Sequence, residues 1–263
     1  MARRFYATAE AAGRLAAWRA AAPKLLMLDF DGTLSPIAAT PGKARLAPGM
    51  RRVLGALSRP QGSRVVVISG RALEDLRRRV DVPGLLYVGN HGASGYRAPR
   101  ISRLWMERAR RLARALRPVA RRCPGALLES KGPELSLHYR RAARSEIAGL
   151  LKAARAAARA FPFAVRGGKK VLEFRVPGWS GKGRAAARLA RSLAPGWRRT
   201  GLCIYVGDDA TDEDAFAALR RLGPRAFGFK VGSGKTAATY RLRNTGEAGR
   251  LLRELAAPRE PKP

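Results

Sequence analysis

Cysteine is nearly missing from this 263-residue chain: Cys123 and Cys203 are the only two. Two cysteines cannot build a disulfide framework, which excludes the small stapled folds and suits a reducing, cytoplasmic setting. Cys203 lies in an apolar run and reads as a small buried hydrophobe. No stretch reaches the roughly 18–20 apolar residues of a membrane span, so no membrane partner is expected. The start lacks the compact apolar core of a secretory signal. Leu15, Trp18 and Ala22 recur there at helical spacing, so an ordinary first helix is preferred to an amphipathic organellar presequence. Acidic residues are few, 19 against 53 Lys and Arg, for a formal charge of +34. A field of that size attracts anions of every kind. The arginines are spread with alanine along the whole chain, not gathered on one face or tail. The charge therefore reads as compositional, and no specific nucleic-acid partner is expected.

Apolar strand-like runs alternate with helical patterns, which predicts a parallel sheet with crossover helices. Strands are expected at Lys24–Phe30, Arg64–Ser69, Leu85–Val88, Leu202–Val206 and Ala226–Val231. Helices are expected at Pro48–Arg59, Ala72–Val80, Asp212–Leu222 and Gly246–Ala256. The middle departs from this rhythm. Ser102–Arg122 reads as a long helix, followed by strands at Ala126–Ser130 and Glu134–Arg140 around a Lys-Gly-Pro turn. In the second strand Leu135, Leu137 and Tyr139 alternate with Ser136, His138 and Arg140. A helix at Glu146–Ala160 and strands at Phe163–Arg166 and Lys170–Val176 repeat the order. An α+β module (αββαββ) is thus inserted at residues 98–177, between core segments 1–97 and 178–263.

Asp29-Phe30-Asp31-Gly32-Thr33 directly follows the first strand, where open α/β sheets bind ligands. Two carboxylates two residues apart can share a cation there, and Gly32 lets the chain turn past them. A plain Asp-Gly turn would explain this motif alone. A second acidic group follows the strand Leu202–Val206. Five of the eight residues from Gly207 to Asp214 are acidic, in a chain poor in acid. One helix cap explains Asp209 or Asp212 but not five carboxylates. Hard oxygen ligands at an open site favour Mg²⁺. Ser69-Gly70-Arg71 ends a strand and opens a helix, where a hydroxyl and free N–H groups can hold an anion. Ser180-Gly181-Lys182-Gly183 opens the helix after the insertion, and its lysine can neutralise a phosphoryl group.

In this order, DxDGT, Ser, Lys and GDDxTD resemble the haloacid dehalogenase superfamily. LDFDGTLSPI, VVVISGR, GNHG, ESKGPELSLHYR, GGKKVLEFR and GDDATDEDAF together resemble the trehalose-6-phosphate phosphatases, from Leu26 to Val231. The resemblance implies an α/β fold, a Rossmann-like parallel-sheet core with an inserted α+β cap. It implies Asp29 as nucleophile, Asp31 as general acid and base, and Ser69 and Lys182 holding the phosphate with help from Thr33. It implies Mg²⁺ bound by Asp29, the Asp31 carbonyl and Asp208, with Asp209 or Asp212 assisting through water. Glu129, Lys131, Arg140, Lys169 and Glu173 match sugar-contacting positions, with Arg71, Asn90 and His91 beside the substrate. The implied substrate is the sugar phosphate trehalose 6-phosphate, and the implied enzyme a cytoplasmic monomer. Another sugar phosphate is the nearest alternative. A basic nucleic-acid-binding protein on the same fold is the alternative from another class. His138 reads as an ordinary position on an alternating strand face.

Overall fold

The computed structural model describes residues 2–38, 40–168, 170–179, 181–192 and 197–258. The chain divides into two compact units, one of Met1–Ala98 with Gly181–Pro263 and one of Pro99–Ser180. In chain order the first unit begins with β1 (Arg3–Arg4), α1 (Glu10–Ala20), β2 (Lys24–Leu28), α2 (Met50–Ser58), β3 (Ser63–Ile68), α3 (Leu73–Val80), β4 (Leu86–Gly89) and β5 (Ser94–Gly95). The second unit holds α4 (Arg103–Arg121), β6 (Leu127–Lys131), β7 (Glu134–His138), α5 (Arg144–Ala158), β8 (Ala164–Gly168) and β9 (Val171–Arg175). The chain then returns to the first with α6 (Lys182–Arg191), α7 (Trp197–Thr200), β10 (Leu202–Gly207), α8 (Ala210–Arg220), β11 (Ala226–Val231), β12 (Tyr240–Leu242) and α9 (Thr245–Ala256).

The first unit is built on an eight-stranded sheet in the order β1-β12-β11-β10-β2-β3-β4-β5. Its pairs are parallel except β4 with β5. A parallel sheet is covered on both faces, so its strands need apolar residues at every position. In β2 and β10, Leu26, Leu28, Ile204 and Val206 face one layer with Trp18, Leu54 and Leu251. Leu25, Met27, Cys203 and Tyr205 face the other with Ala185, Leu189 and Phe216. Cys203 is a free, fully buried thiol, as its apolar run suggested. The first helix belongs to this core, for Trp18 is buried and its indole N–H donates to the Leu255 carbonyl at 3.1 Å.

Three short strands were not expected: β1 and β12 at one end of the sheet and β5 at the other. Arg3 and Arg4 pair with Tyr240 and Arg241, a contact made only when both chain ends reach one sheet edge. Helix α8 also starts at Ala210, earlier than the expected Asp212, because Asp209 caps it.

The second unit pairs four antiparallel strands in the order β6-β7-β9-β8. Leu135, Leu137, Leu172 and Phe174 pack on Leu112 and Leu116 of α4 and Leu150 and Ala154 of α5. Alternation therefore sends Ser136, His138, Glu173 and Arg175 to the opposite face. The expected strand over Glu134–Arg140 ends at His138, and Arg140 lies exposed in the turn beyond it.

Candidate active site

Strands β10, β2 and β3 are neighbours, with Val206 opposite Leu28 and Leu28 opposite Val67. Their C-terminal ends therefore bring Asp208, Asp29 and Ser69 to one edge of the sheet. Asp29 is 2% exposed, and its N–H donates to the Val206 carbonyl at 2.9 Å. Lys182, at the start of α6, is also 2% exposed. Its ammonium lies 2.8 Å from Asp29 Oδ1, 2.8 Å from Asp212 Oδ1 and 3.6 Å from Asp209 Oδ1.

Glycine permits this crowding. A Cβ on Gly32, whose φ is +82°, would be strained and would lie 2.1 Å from Asp208 Oδ2, so a side chain there would push the Asp208 carboxylate aside. Thr33 is buried beside it, its hydroxyl 3.4 Å from Asp208 Oδ1.

The carboxylates of the second acidic loop differ in their bonding. Asp212 is fully buried and accepts four hydrogen bonds: the N–H groups of Asp208 (2.9 Å) and Asp209 (3.0 Å), Lys182 (2.8 Å) and the Tyr205 hydroxyl (2.6 Å). Asp209 caps α8, accepting from the Thr211 and Asp212 N–H groups at 2.8 and 3.1 Å. Behind the loop, buried Lys230 donates to the Asp208 carbonyl.

The charges do not balance. Burial raises Asp29 well above the ordinary carboxylate range, against the pull of Lys182 and helped by the neighbouring aspartates. Burial likewise raises Asp208 and pushes Asp212 up to about 6. Burial would lower the Lys182 ammonium, but Asp212, Asp29 and Asp209 outweigh it and raise it. For Asp209, Lys182 and the bonds from Asp212 and Thr211 overcome burial and hold the carboxyl well below its usual range. Burial is the largest cause of the three upward shifts, and the neighbouring aspartates around the single Lys182 ammonium add to it. Asp29, Asp208 and Asp212 each offer an oxygen within 4.8 Å of the others, a donor set compatible with a metal ion.

Arg71 binds Asp31 through two parallel bonds of 2.7 and 2.6 Å and holds Asp75 at 2.8 Å. This guanidinium, expected beside the substrate, is committed to carboxylates. Ser69 is buried, and its hydroxyl accepts the Arg71 N–H at 3.2 Å. Asn90 donates to the Ser94 hydroxyl at 3.2 Å. His91 lies between the Ser69 loop and Gly181, bonded to the backbone of both.

In the second unit, Glu129, Lys131 and Glu173 share the polar sheet face. Glu129 lies 2.8 Å from His138 Nε2 and 3.3 Å from Lys131 Nζ. The His138 bond is the main reason its carboxyl is lowered. Glu173 pairs with Arg175 at 2.6 Å, and Ser136 sits opposite both Glu129 and Glu173 in register. Arg140 stands outside this face, and Lys169 lies outside the described residues.

Sequence reasoning passed over Tyr205 and Lys230, and gave His138 only an ordinary place on an alternating strand face. A single hydroxyl in an apolar strand and a lysine closing another were the available signals. For His138, the signal was its place two residues from Ser136 on a strand facing Glu129.

The chain is 37% identical over 251 residues to an uncharacterized glycosyl hydrolase of Mycobacterium tuberculosis, a match covering 88% of this chain and 18% of that protein. It is 31% identical over 249 residues to probable trehalose-phosphate phosphatase D of Arabidopsis thaliana, covering 88% of this chain and 66% of that one. The chain thus spans less than two thirds of either relative. Aspergillus fumigatus trehalose-6-phosphate phosphatase superposes with a TM-score of 0.67 at 29% identity, covering 93% of this chain and 96% of that one. Residues 27–245 match the trehalose-phosphatase family, and the chain belongs to that family.

Proposed function

We propose that this chain hydrolyses trehalose 6-phosphate to trehalose and phosphate, with Asp29 as the nucleophile. The observation that carries this reading is the buried Asp29–Lys182 pair, 2.8 Å apart, at the sheet edge that also holds Asp208 and Asp212. An Asp29 oxygen attacks phosphorus as the bond from phosphorus to the sugar oxygen breaks, leaving an aspartyl phosphate. Asp31 gives its proton to the departing sugar oxygen. It then takes a proton from water, whose oxygen attacks phosphorus and frees the Asp29 carboxylate. Arg71 donates to both Asp31 oxygens, which orients the carboxyl and leaves each oxygen a further lone pair for the proton. Lys182 and Ser69 hold the non-reacting phosphate oxygens.

Mg²⁺ fits the surplus of hard oxygen donors, with Asp29, Asp208 and the Asp31 carbonyl as the groups that would hold it. When bound it supplies charge neutralisation for the nucleophile and the transferring group. Asp212, its oxygens already filled by four donors, supports the loop and Lys182. The second unit, assigned to residues 98–177 from the sequence, acts as the cap that reads the sugar. Its hydrogen-bonding face of Glu129, Lys131 and Glu173 suits a ligand rich in hydroxyls. The relatives' names support trehalose as that sugar. The enzyme works as a monomer in the cytoplasm, where its two free, buried cysteines stay reduced.

The test is phosphate release from trehalose 6-phosphate, sucrose 6-phosphate and glucose 6-phosphate, with Mg²⁺ and with excess chelator. Preference for trehalose 6-phosphate, abolished by chelation and restored by Mg²⁺, is expected. Equal turnover of all three would remove the substrate assignment, and full activity in chelator would remove the metal.

A further inference from the structure

We propose that His91 is a positioning residue whose left-handed backbone braces the Ser69 loop against the start of α6, setting the spacing at which Ser69 and Lys182 meet one phosphoryl group. The inference rests on the phosphatase reading and changes the role expected for His91, from contact with the substrate to support of the phosphate site.

Asn90, His91 and Gly92 have φ values of +49°, +53° and +104° in succession. Left-handed backbone is disfavoured for residues with a Cβ and persists where surrounding bonds enforce it. Those bonds are present here. The Asn90 N–H donates to the Arg71 carbonyl at 2.8 Å, and the His91 N–H to the Ser69 carbonyl at 2.9 Å. On its other side the His91 carbonyl accepts the Gly181 N–H at 2.7 Å, one residue before Lys182. Arg188 of α6 donates to the Gly92 carbonyl at 3.0 Å. One residue thus ties the two loops that carry the phosphate-holding side chains.

The packing leaves no slack. A Cβ on Gly92 would lie 2.9 Å from Ala185 Cβ and 3.0 Å from the Gly181 carbonyl oxygen. A Cβ on Gly70 would lie 2.5 Å from the His91 ring, so the imidazole lies directly against the Ser69 loop. The turn cannot relax toward extended backbone without parting Ser69 from Gly181 or driving this ring into Gly70.

The experiment compares His91→Val, His91→Asn, His91→Gly and Gly92→Ala on trehalose 6-phosphate and p-nitrophenyl phosphate. Orthovanadate inhibition and melting temperature are measured beside turnover. Valine resists the left-handed region, whereas asparagine and glycine accept it. His91→Val should lose about 30- to 100-fold in kcat on both esters, the scale expected when catalytic groups shift by about 1 Å. Vanadate affinity should fall with it. His91→Asn and His91→Gly should recover most of that loss, and Gly92→Ala should follow the valine variant. If His91→Val does not fold, Gly92→Ala carries the comparison. A purely structural residue would lower the melting temperature and leave kcat and vanadate affinity of the folded fraction unmoved. That result overturns the proposal. So does an asparagine variant that loses trehalose 6-phosphate turnover but keeps p-nitrophenyl phosphate turnover, since the ring would then be reading the sugar. Wild-type protein that hydrolyses neither ester sinks the phosphatase reading and the brace with it. Active wild type with the wrong variant pattern sinks the brace alone.

Discussion

Replacing Lys182 by methionine removes the one ammonium between Asp29 and Asp212 while keeping a side chain of similar length. Both ion pairs are 2.8 Å long and both partners are almost wholly buried. Breaking such a pair from one side leaves a buried charge without its partner and costs about 3–5 kcal/mol. For a domain of this size each kcal/mol moves the melting temperature by about 2–4 °C, so a fall of roughly 10 °C is expected. The pH dependence has a definite sign. Burial pushes Asp212 up to about 6, above its ordinary value of 3.8, with Lys182 opposing the rise. A carboxyl raised in the folded state favours folding most at low pH and loses that contribution as pH rises through its folded value. Without Lys182 the rise grows, so the deficit of Lys182→Met should be largest near pH 8 and shrink toward pH 6 and below. Differential scanning fluorimetry at several pH values reads both effects. Coincident melting curves at pH 8, or a deficit that widens on acidification, refute the reasoning. Turnover should be lost on trehalose 6-phosphate and p-nitrophenyl phosphate alike, since the role proposed for the lysine is to hold the phosphate common to both.

Asp29→Asn should abolish turnover of both esters with the fold retained, because an amide does not attack phosphorus; more than a trace of activity, measured by phosphate release, rules out the covalent route. Glu129→Ala or Lys131→Ala should lower kcat/KM on trehalose 6-phosphate by about tenfold or more and spare p-nitrophenyl phosphate, since lost bonds to a hydroxyl discriminate without touching the phosphate chemistry. An equal loss on both esters would place these residues outside sugar recognition. Asp209→Ala should cost about 0.5–2 kcal/mol by uncapping α8, read in urea melts, and Asp209→Asn should cost less because asparagine also caps. Equal losses would show that charge, not capping, is what Asp209 contributes.

The parallel core was legible because its strands are buried on both faces, which leaves unbroken runs such as Leu25–Leu28 and Leu202–Val206. The inserted unit was legible for the opposite reason: only one sheet face packs into its helix-covered apolar cluster, so Leu135 and Leu137 alternate with Ser136 and His138. Asp29 and the acidic group at Asp208 stood out against a basic chain, and glycine marked the turns beside them. Tertiary structure alone decided which carboxylate does what. Asp209 and Asp212 look alike in sequence, yet one caps a helix and the other anchors Lys182 and the loop, because the difference lies in which N–H and O–H groups the fold brings to each. Arg71 shows the same limit. Its side chain reaches Asp31 only because β2 and β3 are neighbours, an adjacency between residues 40 positions apart. Local pattern determines where a strand ends and which residues stand at its tip. Partners at hydrogen-bonding distance are set by strand order and helix packing, since those bonds form only once distant segments are held within about 3 Å of each other.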